Sequence, residues 1–520
     1  MIKIISNNRI LLVFVVPFIL GCLTVFSFQP FNFSFINFFV LPCLFLILSN
    51  INKRSRNKYR KKPYLRNLFY VGYFFGIGFF LSGTHWISNS LEFDDTFKSL
   101  VPVTIILIPI VLGLFFGFVS LITGPFLKLD LKSILLFALS LSLIDYLRSI
   151  LFTGFPWNLW AYSWSWFTEI LQILNPIGLF AYNLITITFF LLPCVFFVKT
   201  NFKNLSYIFI GLLIFFLNYI YGNYVINKNT LLVKETILQD NFINLKIISP
   251  NFDLKYNLNE KELDERFNKL IRYSNPEKDK KTLFVWPEGA LSGKYFYELE
   301  KYKKKINQNF SKNHEIVLGI NTLDDSSNFF NSLIIVDHNF NKIFRYNKIK
   351  LVPFGEFLPL EKFFSKLGLK KITEGFGSFK NGKESKTYKY TNINIIPLIC
   401  YEIIFPELLQ GFKPGNNIII NISEDAWFGN SIGPYQHFSK TVFRAIESNS
   451  YIVRSANKGI SAIVDNTGKI VKSLKINETG NLEYKMPIIK NNNKNKNDLI
   501  FFVLLFTYIL IFLLLKKNDK

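Results

Sequence analysis

Cysteine is scarce in this 520-residue chain, with four residues against 59 phenylalanines. Cys22, Cys43 and Cys194 fall inside long apolar runs, which leaves Cys400 alone in the polar stretch 226–490. A lone thiol has no disulfide partner there, so a disulfide-stapled fold is excluded. Histidine is as rare, at four residues. His314, His338 and His437 lie in the same stretch, and none sits in a recognisable cysteine-protease signature, so a Cys–His mechanism finds little support. Acidic residues number 36 against 60 Lys and Arg, giving a net charge of +24. No zinc-finger or RNA-recognition pattern accompanies that charge, and a nucleic-acid partner is not expected. Neither a metal nor a cofactor is expected.

What is abundant is apolar sequence. Half of the residues are hydrophobic. A membrane-crossing helix needs roughly 20 mostly apolar residues. Eight segments qualify: 9–28, 33–51, 67–89, 100–125, 133–151, 172–198, 205–225 and 498–515. The first has a basic flank in Lys3 and Arg9 but no convincing small-residue cleavage site, and is read as a retained helix. The densest basic run is Lys53, Arg54, Arg56, Lys58, Arg60, Lys61, Lys62 and Arg66, between two apolar segments. Basic residues collect in cytoplasmic loops. With the N-terminus inside, this run, Lys128 with Lys132, Lys199 with Lys203, and the tail Lys516, Lys517 and Lys520 all fall inside. Glu92–Thr96, with Asp94 and Asp95, then falls outside, as does everything between the seventh and eighth spans. Three regions follow: 1–225 with seven transmembrane helices, 226–490 as an external domain, and 491–520 as linker, eighth helix and cytoplasmic tail.

Within 226–490 the pattern changes to short β-branched runs, at Leu283–Trp286, Ile316–Gly319, Ser332–Val336, Asn394–Ile399 and Asn417–Ile420. Helix-like stretches at 259–274, 296–309 and 434–450 separate some of them. Buried strands alternating with helices predict an α/β domain with a covered sheet. Cys400 follows one such strand, and Pro406-Glu407-Leu408-Leu409 reads as the first turn of a helix. A side chain at a strand-to-helix turn is sharply presented beside N–H groups able to hold an oxyanion. The alternative is a buried small hydrophobe at a strand end. A thiol with pKa near ~8.5 needs activation. Glu288 follows a buried strand in Trp286-Pro287-Glu288-Gly289-Ala290. Lys348 and Glu356 lie eight residues apart around an apolar turn. As isolated residues they read equally well as a turn acid and a surface lysine.

Together these stretches resemble the nitrilase superfamily, whose Glu-Lys-Cys site matches Glu288, Lys348 and Cys400. With the apolar segments, the resemblance narrows to the bacterial apolipoprotein N-acyltransferase family. It rests on Leu351-Val352-Pro353-Phe354-Gly355-Glu356, Cys400-Tyr401-Glu402, Asn421-Ile422-Ser423-Glu424-Asp425-Ala426-Trp427-Phe428, and Gln436-His437. Arg444-Ala445-Ile446-Glu447, Arg454 and Asn457-Lys458-Gly459 continue it, with Gln29-Pro30-Phe31 and Thr153-Gly154-Phe155-Pro156-Trp157-Asn158 in the apolar part. Departures are Ser249-Pro250-Asn251, where a Gln-containing ending is expected, and Asp145, where Glu is commoner. The resemblance implies an αββα sandwich on a polytopic helical bundle in the bacterial inner membrane, with the catalytic domain periplasmic. It implies transfer of the sn-1 acyl chain of a phospholipid, phosphatidylethanolamine being the expected donor, through a thioester on Cys400. The acceptor is the N-terminal amine of diacylglyceryl apolipoproteins. Glu356, Tyr401 and Glu402 are expected to support the triad, and Trp427, Phe428 and Trp157 to meet lipid. The stretch Phe363-Phe364…Leu367…Leu369 is expected to form a further apolar arm. The alternative is a membrane-anchored nitrilase-type amidase acting on a small amide.

Overall fold

The computed structural model describes residues 8–56, 63–93, 95–198, 202–364, 366, 378–491 and 498–517. Lys3, the basic residues at 58–62, Asp94, Lys199, Leu367, Leu369, Lys520 and the linker at 492–497 lie outside them. The chain divides into two compact units. The first comprises Met1–Ser88, Lys98–Tyr224 and Lys496–Lys520; the second comprises Asn89–Phe97 and Val225–Asn495. The short segment Asn89–Phe97 thus belongs with the α/β unit, where Asn89 Nδ2 donates to the Phe428 carbonyl at 2.8 Å.

The first unit is helical. Five helices among the described residues are long and apolar enough to cross a membrane: Ser34–Ser55, Lys98–Phe126, Leu131–Ile150, Leu179–Phe197 and Ser206–Leu238. Leu11–Ser27 and Leu499–Leu515 are shorter apolar helices. The predicted 67–89 segment lies largely on a 22-residue helix, Pro63–Thr84, whose Arg66, Asn67 and tyrosines dilute its apolar run. The predicted 172–198 span is broken at its start, because Gly178 takes φ +80° and the continuous helix begins only at Leu179. Helices approach closely where side chains vanish. A Cβ on Gly76 would sit 2.8 Å from the Gly113 Cα, and one on Gly21 would sit 2.1 Å from the Phe75 carbonyl oxygen. Small residues of this kind let apolar helices pack backbone to backbone. The outward faces carry rows of exposed Ile, Leu and Phe, such as Val103, Ile106, Leu107 and Ile110 or Phe209, Ile210, Leu213 and Phe216. Surfaces of that extent are shielded by lipid rather than water.

Among the described residues of this unit, Asp145 and Arg148 form a buried charged pair. Arg148 Nη2 lies 3.0 Å from Asp145 Oδ1, and Asn183 Nδ2 donates to Asp145 Oδ2 at 2.9 Å. Arg148 Nη1 also donates to the Trp157 carbonyl at 2.8 Å and to that of Phe155. A single guanidinium therefore ties the loop after helix Leu131–Ile150 back onto that helix. Removing one partner of a buried pair leaves an uncompensated charge, at a cost of ~3–5 kcal/mol. Arg148→Met is expected to lower the melting temperature in detergent markedly. Arg148→Met with Asp145→Asn is expected to recover part of the loss, and a double variant no better than the single one would refute the pairing.

Among the described residues, the second unit holds twelve strands in two six-stranded sheets. They are β1 (Phe242–Ser249), β2 (Thr282–Val285), β3 (His314–Leu323), β4 (Phe329–Val336), β5 (Lys342–Asn347), β6 (Tyr388–Tyr390), β7 (Ile393–Ile399), β8 (Asn417–Glu424), β9 (Tyr451–Asn457), β10 (Ser461–Val464), β11 (Ile470–Leu474) and β12 (Gly480–Pro487). The orders are β12-β1-β2-β3-β4-β5 and β11-β10-β9-β8-β7-β6. Alternate side chains point to opposite sheet faces. Leu245, Ile247, Val285, Val317 and Leu333 of the first sheet therefore join Ile395, Ile420, Ile422 and Val453 of the second in one core. Ile248, Phe284, Ile316 and Leu318 face the other way and pack on helix Glu260–Ser274. Helix Gly433–Ser448 buries most of its length beside β9 and β10. The predicted strands and the helices at 259–274 and 434–450 are present. The stretch 296–309 is a 3₁₀ turn, Phe296–Tyr302, followed by a short helix, Lys303–Asn309. The stretch directly after Cys400 is not an α-helix. Two 3₁₀ segments, Cys400–Ile404 and Pro406–Leu409, end at Gln410, and Gly411 then turns at φ +86°.

Candidate active site

Glu288 sits three residues beyond β2, Lys348 one residue beyond β5, and Cys400 at the end of β7. The structure brings all three together, at most a tenth exposed. Cys400 has φ +49°, a left-handed conformation that L-residues other than Gly rarely adopt and that costs of order 1–3 kcal/mol. The strain turns the thiol sharply out of the strand line.

Lys348 is the electrostatic hub. Its Nζ lies 3.0 Å from Glu356 Oε1 and 3.7 Å from Glu288 Oε1. Burial alone pulls its pKa down, but Glu356, Glu288 and Cys400 together overcome this and hold it well above the ordinary lysine value. One cation is thus shared by two carboxylates. Asn331 on β4 completes the arrangement, with its Nδ2 2.7 Å from both Glu288 Oε1 and Glu356 Oε1. The Glu424 N–H donates to Glu288 Oε2 at 3.0 Å, and the Val352 N–H to Glu356 Oε2 at 2.8 Å. Burial raises the Glu288 pKa, Lys348 lowers it and Glu356 raises it again. A carboxylate raised in this way is suited to accept a proton near neutral pH. Burial also raises the Cys400 thiol far above its usual value, with Glu288 and Asp425 adding to the rise and Lys348 and Ser423 opposing it. Burial thus favours the protonated thiol, next to the Glu288 carboxylate.

Glu402 does something different. Its carboxylate accepts from the Ile349, Lys350 and Ile399 N–H groups at 2.6, 3.1 and 2.8 Å, and from the Tyr346 hydroxyl at 3.0 Å. It pins the lysine loop to the turn carrying Cys400. Tyr401 is half-buried with its ring 5.0 Å from that of Phe405. Trp427 is half-buried between Phe93 at 5.3 Å and Tyr256 at 6.0 Å. Phe428 is buried against the His437 ring at 5.2 Å. Trp157, in the helical unit, is 1 % exposed and packs between Trp86 and Phe155. Phe363 and Phe364 lie on the short helix Glu361–Phe364. At the departure Ser249-Pro250-Asn251, Ser249 Oγ donates to the Glu478 carbonyl at 2.9 Å.

Sequence reasoning missed Asn331. Its one signal was an amide interrupting the apolar strand Phe-Phe-Asn-Ser-Leu-Ile-Ile-Val. It also passed over Gly289, where φ is +73° and a Cβ would meet Glu424 Oε2 at 2.2 Å.

Two stretches of the chain match known family profiles. The carbon-nitrogen hydrolase family matches residues 256–487, the second unit with its Glu-Lys-Cys cluster. The apolipoprotein N-acyltransferase N-terminal domain matches residues 20–192. Curated apolipoprotein N-acyltransferases align over most of the chain. That of Rickettsia typhi is 32% identical over 91% of this chain and 92% of its own length. That of Brucella melitensis biotype 1 is 31% identical over 80% and 79%, and that of Allorhizobium ampelinum 28% identical over 92% and 90%. The chain belongs to the apolipoprotein N-acyltransferase family, and it is a membrane protein with a nitrilase-like α/β unit.

Two expectations follow from the geometry. Gly289→Ala should destabilise the protein by more than Gly411→Ala, because Gly411 has φ +86° with nothing within 4 Å of an added Cβ. The control incurs only the conformational cost, about 1–2 kcal/mol, and equal melting shifts would refute the close contact. The second concerns pH. Burial pushes Glu402 up to about 7, with the backbone donor Ile399 and then Lys348 opposing it. A raised carboxyl contributes stability below its unfolded pKa near ~4.3, and this is lost as pH rises through the folded value. The melting-temperature advantage of wild type over Glu402→Gln should therefore narrow between about pH 5 and 8. An advantage that widens over that window would contradict the assignment.

Proposed function

We propose that this protein transfers an acyl chain from a phospholipid to the N-terminal amine of diacylglyceryl apolipoproteins, through a thioester on Cys400. The observation that carries the reading is Lys348, buried and shared between Glu288 and Glu356 beside the buried Cys400 thiol, in a chain of this family. Glu288 takes the Sγ proton, and the thiolate attacks the sn-1 ester carbonyl. Lys348 and the Tyr401 N–H hold the tetrahedral oxyanion; one such donor contributes ~3–4 kcal/mol. The C–O bond breaks, the lysophospholipid alkoxide leaves with a proton from Glu288, and the acyl group remains on sulfur. The α-amine of the second substrate then attacks the thioester, Glu288 accepts the amine proton, and the Cys400 thiolate departs. Two substrates sharing one acylated residue in turn give ping-pong kinetics.

Phosphatidylethanolamine is the donor we favour, since the basic loops and apolar spans fit a bacterial inner membrane. In the same reading both termini are cytoplasmic and the α/β unit is periplasmic. Glu356 and Glu402 position Lys348 and the Cys400 turn, and Trp427 and Phe428 meet the acyl chains.

Intact-mass measurement tests the first half-reaction. Full-length protein incubated with phosphatidylethanolamine should gain one acyl mass on Cys400, and a diacylglyceryl-cysteine peptide should discharge it. Cys400→Ala should gain none. Glu288→Gln should acylate at least ~100-fold more slowly, as expected for loss of a general base. Acylation of the Cys400→Ala variant, or ammonia release from small amides without phospholipid dependence, would overturn the proposal, the latter in favour of an amidase.

A further inference from the structure

Glu288, the base of the proposed reaction, lies in the turn after β2. Its neighbours leave that turn no room. On one side is Gly319 of β3, where an added Cβ would sit 2.8 Å from the Glu288 Cα. On the other side is the Glu424 carboxyl, and a Cβ on Gly289 would collide with its Oε2. Gly289 has φ +73°, a left-handed conformation that glycine adopts without penalty. A third hold comes from helix Glu260–Ser274, where Arg266 Nη1 donates to the Ala290 carbonyl at 3.1 Å. The turn is thus gripped between a glycine on β3, an arginine and an acid at the end of β8.

That acid is itself fixed. Glu424 of β8 and Asn457 of β9 are register partners at their strand ends. Asn457 Nδ2 lies 3.1 Å from Glu424 Oε1 and 2.9 Å from Oε2. The Asn457 amide is anchored on the Phe252 backbone, accepting from its N–H at 2.8 Å and donating to its carbonyl at 2.9 Å. The Ala426 N–H donates to Glu424 Oε1 at 3.0 Å and caps the 3₁₀ turn Asp425–Phe428. Both Glu424 and Asn457 are buried. Three charged groups bear on the Glu424 carboxyl: the acids Glu288 and Asp425, and the Arg266 guanidinium. Burial comes first, and with the two acids it holds the carboxyl well above the ordinary value, against the Asn457 and Ala426 donors. The protonated acid is favoured.

The backbone of the same residue reaches the base directly, its N–H donating to Glu288 Oε2 at 3.0 Å. We propose that the Glu424 side chain is a positioning residue for Glu288: locked by Asn457 and Ala426, it is the wall on which the Glu288–Gly289 turn rests, and it keeps the Glu424 N–H aimed at Glu288 Oε2. Glu424 acts through Glu288 and exchanges no proton with Cys400. The arrangement also selects the oxygen that works as the base. Each carboxylate oxygen offers two lone pairs. Glu288 Oε1 faces both Asn331 and Lys348, whereas Oε2 has the Glu424 N–H. The lone pair left for the Cys400 proton is on Oε2, beside the N–H that Glu424 holds in place. The inference rests on Glu288 being the base that ionises Cys400.

The test uses full-length protein in phospholipid-containing micelles and two readouts. The first is the rate of Cys400 alkylation by iodoacetamide between about pH 5 and 9, which involves no lipid chemistry; it falls on the acid side as Glu288 takes up a proton and ceases to be a base. The second is the rate at which Cys400 gains an acyl mass. Glu424→Ala removes the wall and weakens one hydrogen bond to a charged group. It should acylate about tenfold more slowly, and the acid limb of its alkylation should move up by about one pH unit, because the charged form of Glu288 has lost a donor. Glu424→Asp, one methylene too short to meet Asn457 and Gly289 together, should behave in the same way and serves where the alanine variant does not fold. Glu424→Gln has the shape of the protonated acid and should stay within about threefold of wild type, with its acid limb in place. A loss of packing alone would slow the reaction equally at every pH. An acid limb that neither Glu424→Ala nor Glu424→Asp moves, or a Glu424→Gln variant as slow as Glu424→Ala, overturns the assignment. Wild-type protein whose alkylation shows the expected Glu424 dependence but which never gains an acyl mass would instead sink the acyl-transfer reading and leave the positioning role standing.

Discussion

The ammonium of Lys348 is the charge on which the site depends. A buried cation is costly unless it is paired and hydrogen-bonded. Here Glu356 accepts from it at 3.0 Å and Glu288 stands 3.7 Å away. The unequal distances divide the labour. Glu356 is fixed by both Lys348 and the Val352 N–H, and so anchors the cation. Glu288 is held more loosely, and burial raises its affinity for a proton. Asn331 prevents a collapse to one side, because its single amide nitrogen contacts both acids.

Around this core the backbone supplies what side chains cannot. The Glu424 N–H orients Glu288, and three N–H groups converge on Glu402. The lysine loop and the Cys400 turn therefore move as one body. That coupling offsets the strained φ of Cys400, since a left-handed non-glycine residue persists only where its surroundings over-determine it. His437 and Asn421, both directed at the Cys400 carbonyl, hold the turn from behind.

The sequence made the apolar framework legible because burial leaves a period. The runs that became β2, β3, β4, β7 and β8 alternate between two cores, and β-branched residues mark both faces. The strand-end positions of Glu288 and Cys400 were readable for the same reason; Lys348 was placed only in an apolar turn, because the strand before it, β5, is short and half-exposed, and the convergence of the three followed the resemblance. The other features had no periodic signal. Asn331 is one amide in an apolar strand, and its meaning is two carboxylates brought from segments 43 residues before and 25 after. Asp425 was visible as part of a motif, but its clamping by Arg454 depends on β8 lying beside β9. The turn after Cys400 was misread as helical, because Pro406-Glu407-Leu408-Leu409 has good helix-start chemistry while the left-handed Gly411 ends it after one 3₁₀ segment. The break at Gly178 was hidden by the apolar residues on both sides, which hydropathy averages over.

The same rule for burying charge operates in both units. Arg148, Lys348 and Arg454 are each almost wholly buried, and each faces a carboxylate and an amide-bearing side chain. Arg148 has Asp145, itself held by Asn183; Lys348 has Glu356, held by Asn331; Arg454 has Asp425 and the Asn421 oxygen. The amide contributes polarity without net charge, so each cluster stays close to neutral and its geometry stays fixed. The differences lie in what remains unsatisfied. Around Arg148 and Arg454 a single carboxylate faces the cation, and the result is a brace. Around Lys348 a second carboxylate is left over, and that surplus acid gives the cluster a proton acceptor next to a thiol. A structural ion pair becomes a candidate catalytic site by the addition of one glutamate, which is why Glu288, more than the lysine itself, distinguishes this cluster from the other two.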